Sequence, residues 1–478
     1  MILNEQLREN EQKLRFDAFH DKLTGLPNRA AFINHLEGAL QAFRMDATYR
    51  FAVLFLDFDG FKVVNDSLGH WLGDELLIAL ARRIKELLPI GSFAARLGGD
   101  EFVVLIENIF TELEVMEIVD HLQSELRRPC EIRDYRLYTS ASIGVVMNDA
   151  LHQTAGDLLR DADIAMYRAK ENGKACCVVF DNTMRAQAVA RLKLETALRH
   201  ALPRRELMLA YQPIWNVTTQ RVTGFEALAR WHHADYGVVA PTQFIAVAEE
   251  TGLIIPLGEW VLEEACQQLR EWHERWPQAS SLTVSVNISA RQLYQGDLVA
   301  VVQRTLQKTG LATSALKLEI TESVFMEDIE AAIVTCTQLR DLGVFLQIDD
   351  FGTGYSSFNY LHRLPINTMK IDKSFIDLLN LGGHHVEIVR TIAMLAHNLQ
   401  LSVIAEGVET EAQLNYVAAL GCEQVQGYLI SKPLDTTAAE QLIQTSLSDR
   451  ALQTTARAQP SSKRSLLSGL ATTAASVA

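Results

Sequence analysis

The sequence lacks paired cysteines and long apolar runs. Its six cysteines are scattered along 478 residues without a CxxC pair, which predicts reduced thiols of the kind found in the cytosol. No apolar run approaches the roughly 18 residues that a membrane helix needs. The first twenty residues are too heavily charged for a secretory signal. We therefore expect a cytoplasmic protein without a membrane segment in this chain.

A surplus of positive charge is also absent. The chain has 44 Lys and Arg against 59 Asp and Glu, a formal net charge of −15. This balance, together with the lack of a basic stripe or recognition motif, argues against nucleic-acid binding. An anionic nucleotide remains a possible ligand where metal ions screen the site. What is present, 48% hydrophobic and 22% charged residues, is typical of a soluble globular protein of two or three domains.

Composition and periodicity divide the chain into five predicted segments. Residues 1–20 form a helix, which could be a dimeric stalk or a simple capping helix. Residues 21–181 are mixed α/β, and residues 182–207 form a helical connector. In residues 208–446 short apolar strands alternate with amphipathic helices, which predicts repeated βα units and a parallel barrel. Residues 447–478 are rich in Ala, Ser and Thr and are predicted to be disordered.

Acidic residues end a buried strand in the first domain. The apolar run of residues 51–58 contains Asp57 and is followed by Asp59. Because these residues are two apart on an extended chain, we expect both carboxylates on the same side. One such pair is weak evidence, since a solvated turn explains it equally well. The hairpin of residues 98–102 (GGDEF) adds a Gly-Gly turn that lets backbone approach phosphate, and acids that suit Mg²⁺.

Polar residues end six strand-like runs of the second domain. These runs are residues 224–228, 283–287, 316–319, 345–350, 368–372 and 403–406. If they are parallel barrel strands, their carboxyl ends meet on one face, where such barrels have their active sites. Closely packed carboxylates repel unless divalent cations lie between them, and two metals that clamp a phosphodiester satisfy this requirement. The set contains no His or suitably spaced Cys, which favours Mg²⁺ or Mn²⁺ over zinc.

The first region resembles the GGDEF family of diguanylate cyclases, through residues 23–29, 57–70, 73–74, 98–102 and 165–170. The second is similar to the EAL family of cyclic-di-GMP phosphodiesterases. Its matching motifs are 211–214 (YQPI), 226–231 (EALARW), 287–289 (NIS), 319–322 (EITE), 349–355 (DDFGTGY), 370–372 (KID), 406–410 (EGVET) and 426–428 (QGY). The resemblance implies a polymerase-like α+β GGDEF domain followed by a TIM-barrel-like (β/α)8 EAL domain.

The GGDEF resemblance implies a homodimer in which each subunit presents one GTP with Mg²⁺, and in which cyclic di-GMP and pyrophosphate form. The implied metal ligands are Asp57, the carbonyl of Phe58, and Asp100. The implied nucleotide contacts are Asn65 and Asp74 on guanine with His70 alongside, Lys62 on the phosphate charge of the transition state, and Lys170 on the triphosphate.

The first region departs from the GGDEF family pattern at two places. Lys174 replaces a usual arginine, and residues 89–92 (PIGS) replace an inhibitory Arg-x-x-Asp, so we expect no product inhibition there.

The EAL resemblance implies hydrolysis of cyclic di-GMP to linear pGpG by a site with two metal ions. The implied metal ligands are Glu226, Asn287, Glu319 and Asp349 for one ion, and Asp349 with Asp350 for the other. Lys370 would orient the attacking water, and Glu406 would be the general base. The implied supporting and substrate-binding residues are Gln212, Arg230, Glu409 and Gln426. Glu322 would hold the regulatory loop of residues 349–358.

Three functions remain open from the sequence. The chain could be a bifunctional enzyme, a phosphodiesterase whose GGDEF domain only senses GTP, or an inactive receptor for cyclic di-GMP. A receptor has no need for intact metal carboxylates and Lys370, and the EAL motifs show no departure from the family pattern. The sequence therefore favours an active phosphodiesterase that binds GTP in its first domain and can synthesise cyclic di-GMP there.

Overall fold

The protein is described by a computed structural model that covers residues 16–109, 111–325, 328–352, 361–381 and 384–458. The chain separates into two compact units, Met1–Leu192 and Lys193–Ala478. Of the helices within these ranges, none has the length and apolar character that crossing a bilayer requires. Residues 1–15 of the predicted N-terminal helix lie outside the described residues.

The first unit contains a five-stranded sheet and a separate hairpin. The sheet strands are β1 (Phe51–Phe58), β2 (Phe93–Gly98), β3 (Glu101–Glu107), β6 (Ala141–Met147) and β7 (Cys177–Val179), and the hairpin strands are β4 (Cys130–Ile132) and β5 (Tyr135–Leu137). The helices are α1 (Arg29–Met45), α2 (Phe61–Leu68), α3 (His70–Leu87), α4 (Glu112–Leu126), α5 (Ala155–Glu171) and α6 (Asn182–Ala201). The strand order is β2-β3-β1-β6-β7, with only the β6–β7 pair parallel.

Strand β1 lies at the centre of this sheet, and every residue of it is buried. Its alternate side chains enter two different hydrophobic cores: Leu54 and Leu56 belong to one, and Val53 and Phe55 to the other. Because both faces are covered, the strand needs an unbroken apolar sequence. The first polar residue of the strand, Asp57, therefore comes near its end, next to the start of α2.

The second unit is built on an eight-stranded barrel. Its strands are β8 (Leu207–Asn216), β9 (Arg221–His233), β11 (Thr283–Ile288), β12 (Leu316–Thr321), β13 (Phe345–Phe351), β14 (Thr368–Ile371), β15 (Ser402–Ala405) and β16 (Gln424–Val425), with β10 (Gly237–Val239) beside β9. The helices are α7 (Pro241–Thr251), α8 (Ile254–Arg275), α9 (Ala290–Gln295), α10 (Leu298–Thr309), α11 (Glu322–Phe325), α12 (Ile329–Asp341), α13 (Lys373–Asp377), α14 (His384–Asn398), α15 (Glu411–Ala419) and α16 (Thr436–Ala458).

The barrel differs from the predicted all-parallel arrangement at one strand. Strand β8 runs antiparallel to both of its neighbours, β9 and β16. The reason is the short connection between Asn216 and Arg221, which lie opposite each other in the β8–β9 hairpin. Parallel neighbours need a crossover of a dozen or more residues, and this turn is far too short for one.

The C-terminal helix α16 also differs from expectation. It continues to Ala458 and so includes residues 447–458, which composition predicted to be disordered. Its earlier turns bury Ala439 and Ile443 in the barrel core, and Leu447 packs partly against the same core. This packing anchors the helix, because an amphipathic face on a core stabilises a helix more than local propensity does. Residues 459–478 lie outside the described part of the chain.

Two candidate active sites

The parallel strands of the barrel bring the predicted acids to one mouth. Neighbouring strands pair in register, with Ser285 opposite Glu226 and Asn287 opposite Glu319. Thr321 lies opposite Asp349 on the next pair of strands. Because these residues lie near the carboxyl ends of their strands, their side chains meet where barrel enzymes have their active sites.

Lys370 of β14 lies at the centre of these carboxylates and is only 1% exposed. Its Nζ is 2.6 Å from Glu319 Oε2, 2.6 Å from Glu406 Oε1 and 3.1 Å from Asp349 Oδ1. A fourth carboxylate, Glu226 Oε2, lies 3.7 Å away. One ammonium therefore faces four carboxyl groups, whose combined charge exceeds its own when they are ionised.

The charges shift the pKa values of this cluster in opposite directions. Burial raises the pKa of Glu319 well above its usual value and that of Glu406 to about 8, although Lys370 opposes both shifts. Burial acts the same way on Glu226, but Lys370 and hydrogen bonds from Gln426 and Asn287 outweigh it and lower the pKa. For Lys370 the surrounding carboxylates outweigh burial and raise the pKa. The ammonium is therefore held charged.

Strand β13 presents two consecutive acids to the mouth. Successive residues of a regular strand point to opposite faces, but the β13–β14 register shifts between Ile348 and Phe351. Asp350 takes a left-handed backbone conformation, with φ of 52°. As a result, carboxylate oxygens of Asp349, Asp350 and Glu406 all lie within 4.8 Å of one another. Burial and the charge of Asp349 raise the pKa of Asp350 to about 6.

Two amides fix the orientation of Glu226. Asn287 Nδ2 donates to Glu226 Oε1 at 2.7 Å, and Gln426 Nε2 donates to Glu226 Oε2 at 2.6 Å. Among the described residues, Glu319 Oε1 is buried and has no hydrogen-bond partner. A buried acceptor without a donor is costly, and a hard divalent cation would satisfy it. Carboxylate and amide oxygens with excess negative charge are a donor set that fits Mg²⁺ or Mn²⁺.

The remaining EAL predictions fall around this centre. Gln212 lies opposite Glu226 in the β8–β9 pair. Arg230 is half-buried on β9, and burial lowers its pKa. Glu322 accepts a hydrogen bond from the backbone N–H of Gly352 at 2.8 Å, which ties it to the start of the predicted regulatory loop. Residues 353–358 of that loop lie outside the described residues.

Glu409 does not contact Lys370. It pairs with Lys373 at 2.6 Å, and both side chains are largely solvent-exposed. The stem of Lys373 lies across Gly407, where an added Cβ would come within 2.3 Å of it. Glu409 therefore orients a surface lysine, and the structure places it outside the carboxylate cluster.

In the first unit, Asp57 contacts Lys170 across the gap between β1 and α5. The distance between Lys170 Nζ and Asp57 Oδ2 is 2.7 Å. Burial raises the pKa of Asp57, and the nearby charge of Asp100 adds to this, while Lys170 opposes it. Two of the predicted metal ligands and the predicted triphosphate lysine are thus brought together beside the carbonyl end of β1.

The Gly-Gly turn is held by an arginine that sequence reasoning missed. Gly98 and Gly99 have φ of 147° and 52°, values that side-chain-bearing residues rarely adopt. Arg96 donates to the carbonyl of Gly99 at 2.8 Å and 3.0 Å, and to Asp21 at 2.8 Å. The Arg96–Asp21 ion pair thus connects the hairpin to the segment just ahead of residues 23–29. The signal available in the sequence was an arginine two residues ahead of the Gly-Gly turn.

Helices α2 and α3 carry the other predicted nucleotide contacts, Lys62, Asn65, His70 and Asp74. The two helices pack so closely that a Cβ added to Gly73 would lie 2.0 Å from Asn65 Oδ1. Gly73 precedes Asp74, so the two residues predicted to recognise guanine lie side by side.

A further acid, Asp163 of α5, was not selected from the sequence. Burial raises the pKa of Glu101, and the negative charges of Asp163, Asp57 and Asp100 add to this effect. Asp163 precedes Lys170 by seven residues, a spacing that places both on one helix face. That spacing was the signal that could have identified it.

Asp57 and Asp59 were expected to present their carboxylates to the same side, and the contacts of Asp59 agree with this. Ser142 lies opposite Asp57 in the β1–β6 pair and donates to Asp59 at 2.7 Å. The two acids nevertheless have different partners: Asp57 contacts Lys170, whereas Asp59 accepts hydrogen bonds from Ser140 and Ser142.

Two family models match the chain and follow the boundaries of the fold. The model described as "Diguanylate cyclase, GGDEF domain" matches residues 18–176, and the model described as "EAL domain" matches residues 195–433.

Known relatives align over most of the chain. It is 44% identical over 441 residues to the bifunctional diguanylate cyclase/cyclic di-GMP phosphodiesterase MucR of Pseudomonas aeruginosa, covering 91% of this chain and 62% of that protein. It is 39% identical to signaling protein YkoW of Bacillus subtilis, covering 91% of this chain and 54% of that protein. The chain therefore spans about three fifths or less of these relatives.

Among solved structures, the PaMucR phosphodiesterase in complex with c-di-GMP is similar to the second unit. It is 44% identical, has a TM-score of 0.50, and covers 52% of this chain and 99% of that one. Fold and site thus define a tandem protein in which an α+β domain with a Gly-Gly hairpin precedes an acid-lined barrel. The chain belongs to the tandem GGDEF–EAL family.

Proposed function

We propose that the EAL domain hydrolyses one phosphodiester bond of cyclic di-GMP and releases linear pGpG. One observation carries the proposal: four carboxylates surround the single buried ammonium of Lys370, and Glu319 retains an acceptor without a donor among the described residues. Such a cluster is suited to divalent cations and a phosphate group. The solved PaMucR complex, which is similar to this domain, has c-di-GMP as its ligand.

The residues divide between holding metal and handling the substrate. Glu226, Asn287, Glu319 and Asp349 would hold one Mg²⁺ or Mn²⁺, and Asp349 with Asp350 the other. These ions would supply Lewis-acid charge to the phosphate and lower the pKa of a bound water. Gln212, Arg230 and Gln426 would orient the dinucleotide, with Arg230 on a phosphate oxygen.

Two other residues of the cluster, Lys370 and Glu406, act on the attacking water. Lys370 orients the attacking water, and Glu406 takes its proton as the new P–O bond forms. The bond from phosphorus to the 3′-oxygen then breaks, and that oxygen leaves as a hydroxyl with a proton from solvent, while Glu406 releases the proton it took from water back to solvent. Glu406 suits this role because it contacts Lys370 and lies beside Asp349 and Asp350.

Product analysis tests this proposal directly. The purified protein with Mn²⁺ and cyclic di-GMP should yield pGpG, and Glu226→Ala should abolish the product without changing the circular dichroism spectrum. The matched control is Glu263→Ala, which removes an exposed carboxylate that pairs with Lys308. If Glu226→Ala hydrolyses as fast as the parent, the metal assignment fails.

We further propose that the GGDEF domain binds GTP and synthesises cyclic di-GMP. The proposal is supported by Asp57 beside Lys170, and by Asn65 packed against Gly73 next to Asp74. Synthesis requires a homodimer, since the 3′-hydroxyl of each GTP attacks the α-phosphorus of the other and two pyrophosphates leave. Reduced cysteines suit the cytoplasm, where we propose that both reactions occur. The competing possibility is a GTP-sensing domain without turnover.

The test uses the Glu226→Ala protein, which preserves any cyclic di-GMP formed. Incubation with GTP and Mg²⁺ should give cyclic di-GMP and pyrophosphate, and added cyclic di-GMP should not inhibit, because residues 89–92 lack the inhibitory Arg and Asp. If the domain binds GTP but forms no product, its role is to sense GTP and not to synthesise cyclic di-GMP. Non-competitive inhibition by cyclic di-GMP would contradict the expectation for residues 89–92.

A further inference from the structure

Asp59 has its carboxylate engaged on both oxygens. Oδ1 accepts from Ser142 Oγ at 2.7 Å. Oδ2 accepts from Ser140 Oγ at 2.7 Å and from the backbone N–H of Ala175 at 3.0 Å. The backbone N–H of Asp59 donates to the Ser140 carbonyl at 2.9 Å. Each carboxylate oxygen has two lone pairs. Both lone pairs of Oδ2 therefore accept a hydrogen bond, and one of the two on Oδ1 does so.

The contact with Ala175 reaches an unusual backbone segment. Gly173, Lys174 and Ala175 follow one another with φ of 103°, 63° and 49°. Left-handed conformations in consecutive residues that bear side chains are strained and persist only where the surroundings impose them. Arg127 donates to the Ala175 carbonyl on the other side. The segment is therefore fixed at Ala175 through both its N–H and its carbonyl.

This strained segment lies at the edge of the nucleotide site. It directly follows α5, whose Lys170 contacts Asp57, and Ala175 contacts Asp59 two residues beyond Asp57. Lys174 lies between Lys170 and Ala175 in the sequence, and its side chain is exposed. An exposed cation at this place is available to a triphosphate that approaches Asp57 and Lys170.

We propose that Asp59 is a positioning residue of the GTP site and not a metal ligand. It holds residues 173–175 in their strained conformation, and this directs Lys174 toward the triphosphate. The inference rests on the proposed binding of GTP to the first domain. It separates two aspartates that the sequence presents as an equivalent pair: Asp57 faces the metal, and Asp59 acts through Lys174.

The experiment is a double-mutant cycle read by binding of a fluorescent, non-hydrolysable GTP analogue with Mg²⁺. Asp59→Ala and Lys174→Ala should each weaken binding by about tenfold, the effect of one lost charge-assisted contact. The double variant should bind no more weakly than either single variant. Asp59→Asn, which keeps the shape of the side chain, is a second variant in case Asp59→Ala does not fold. Ser140→Ala is the matched control, because it removes one bond to Asp59 but leaves the bond to Ala175, and it should bind like the parent.

Additive losses in the cycle, or an Asp59→Ala protein that binds like the parent, would overturn the inference. If adding Asp59→Asn to Lys174→Ala raises the Mg²⁺ concentration needed for binding, Asp59 is a metal ligand and the inference is also overturned.

Trypsin provides a readout that needs no nucleotide. Cleavage after Lys174 should accelerate in Asp59→Ala and not in Ser140→Ala. If the parent binds no GTP analogue, the proposed function of the domain fails, and unchanged cleavage in Asp59→Ala would separately overturn the positioning role.

Discussion

At the scale of single residues, the barrel site is organised around a buried charge that is not itself a metal ligand. Lys370 contacts carboxylates from four different strands or strand ends, and its own surroundings keep it protonated. Buried ion pairs contribute little net stability when complete, but an unpaired buried charge is strongly destabilising. Substitution of the single cation, Lys370, should therefore affect stability differently from substitution of one of its carboxylate partners.

Lys370→Met should destabilise the metal-free protein by about 3–5 kcal/mol, because it leaves buried carboxylates without a cation. Chemical unfolding in EDTA measures this loss, and added Mn²⁺ should restore part of it. The control, Lys308→Met, removes an exposed partner of Glu263 and should cost less than about 1 kcal/mol. A Lys370→Met protein as stable as the parent in EDTA would contradict this account of the cluster.

Glu319→Gln should have the opposite profile. It removes one carboxylate from around Lys370 but leaves the other three, so the free energy of unfolding in EDTA should stay equal or rise. Turnover of cyclic di-GMP should fall at least about a hundredfold, since the loss of a group that only orients a metal ligand already costs up to that much. Thermal melts and pGpG formation measure the two effects. A large loss of stability would show that Glu319 has a structural role instead.

At the scale of elements, the irregular part of β13 decides the shape of the barrel mouth. A regular strand would direct only one of Asp349 and Asp350 inward, and the register shift with the left-handed Asp350 allows both. Bulges that redirect side chains are common next to active sites. The backbone of this strand is thus part of the candidate metal site.

Substitutions at Asp350 should separate backbone from chemistry. Asp350→Val should lower the free energy of unfolding by about 1–2 kcal/mol relative to Asp350→Gly, because a β-branched residue is disfavoured in the left-handed region. Asp350→Asn tolerates this region, so it should fold like the parent but need more Mn²⁺ for turnover. Urea unfolding and Mn²⁺ titration provide the measurements. Equal stability of the Val and Gly variants would argue against the left-handed conformation.

The packing of α2 on α3 gives a similar test in the first domain. Gly73→Ala places a methyl group where Asn65 Oδ1 now lies, so affinity for the GTP analogue should fall at least about tenfold. The control is Gly38→Ala in α1, where nothing lies within 4 Å of the new Cβ. It should bind GTP normally and gain about 0.5–1 kcal/mol of stability from helix propensity. Unchanged affinity in Gly73→Ala would remove Asn65 from the proposed site.

At the scale of the whole molecule, α6 runs from Asn182 to Ala201 without interruption and passes through the boundary between the two compact units at Leu192. A continuous helix transmits rotation, whereas a flexible linker absorbs it. The resemblance implies an arginine where this chain has Lys174, so the proposed GTP site should hold phosphate more weakly while it keeps Asn65 and Asp74. We expect such a site to suit sensing of GTP.

We therefore expect GTP to alter hydrolysis of cyclic di-GMP in the second domain. Coupling free energies of about 1–3 kcal/mol correspond to roughly 5- to 150-fold changes in affinity. The measurement is pGpG formation during a GTP titration, repeated with Asp74→Ala. Identical rates with and without saturating GTP would exclude coupling, and an effect that persists in Asp74→Ala would place GTP elsewhere.

The sequence predicted the order of domains and the convergence of the barrel acids, because strand ends and acidic residues follow a regular pattern. It could not predict features that depend on local backbone geometry. The bulge that brings Asp349 and Asp350 together has no period-two signature, and the antiparallel β8 follows from one short turn. The partners of Asp59 and Glu409 are distant in sequence, 116 residues away for Ala175, and only packing brings them together.

The buried ammonium of Lys370 also bears on the order in which this protein is made and loaded. Small zinc domains stay unfolded until their ion arrives, because nothing else compensates their ligands. Here one cation, the Lys370 ammonium, is encoded in the chain itself, so we expect the barrel to fold without bound metal. We expect metal acquisition to follow folding as a separate, reversible step. Under the proposed function, the active fraction should then follow the concentration of free divalent metal, while the fold should not depend on it.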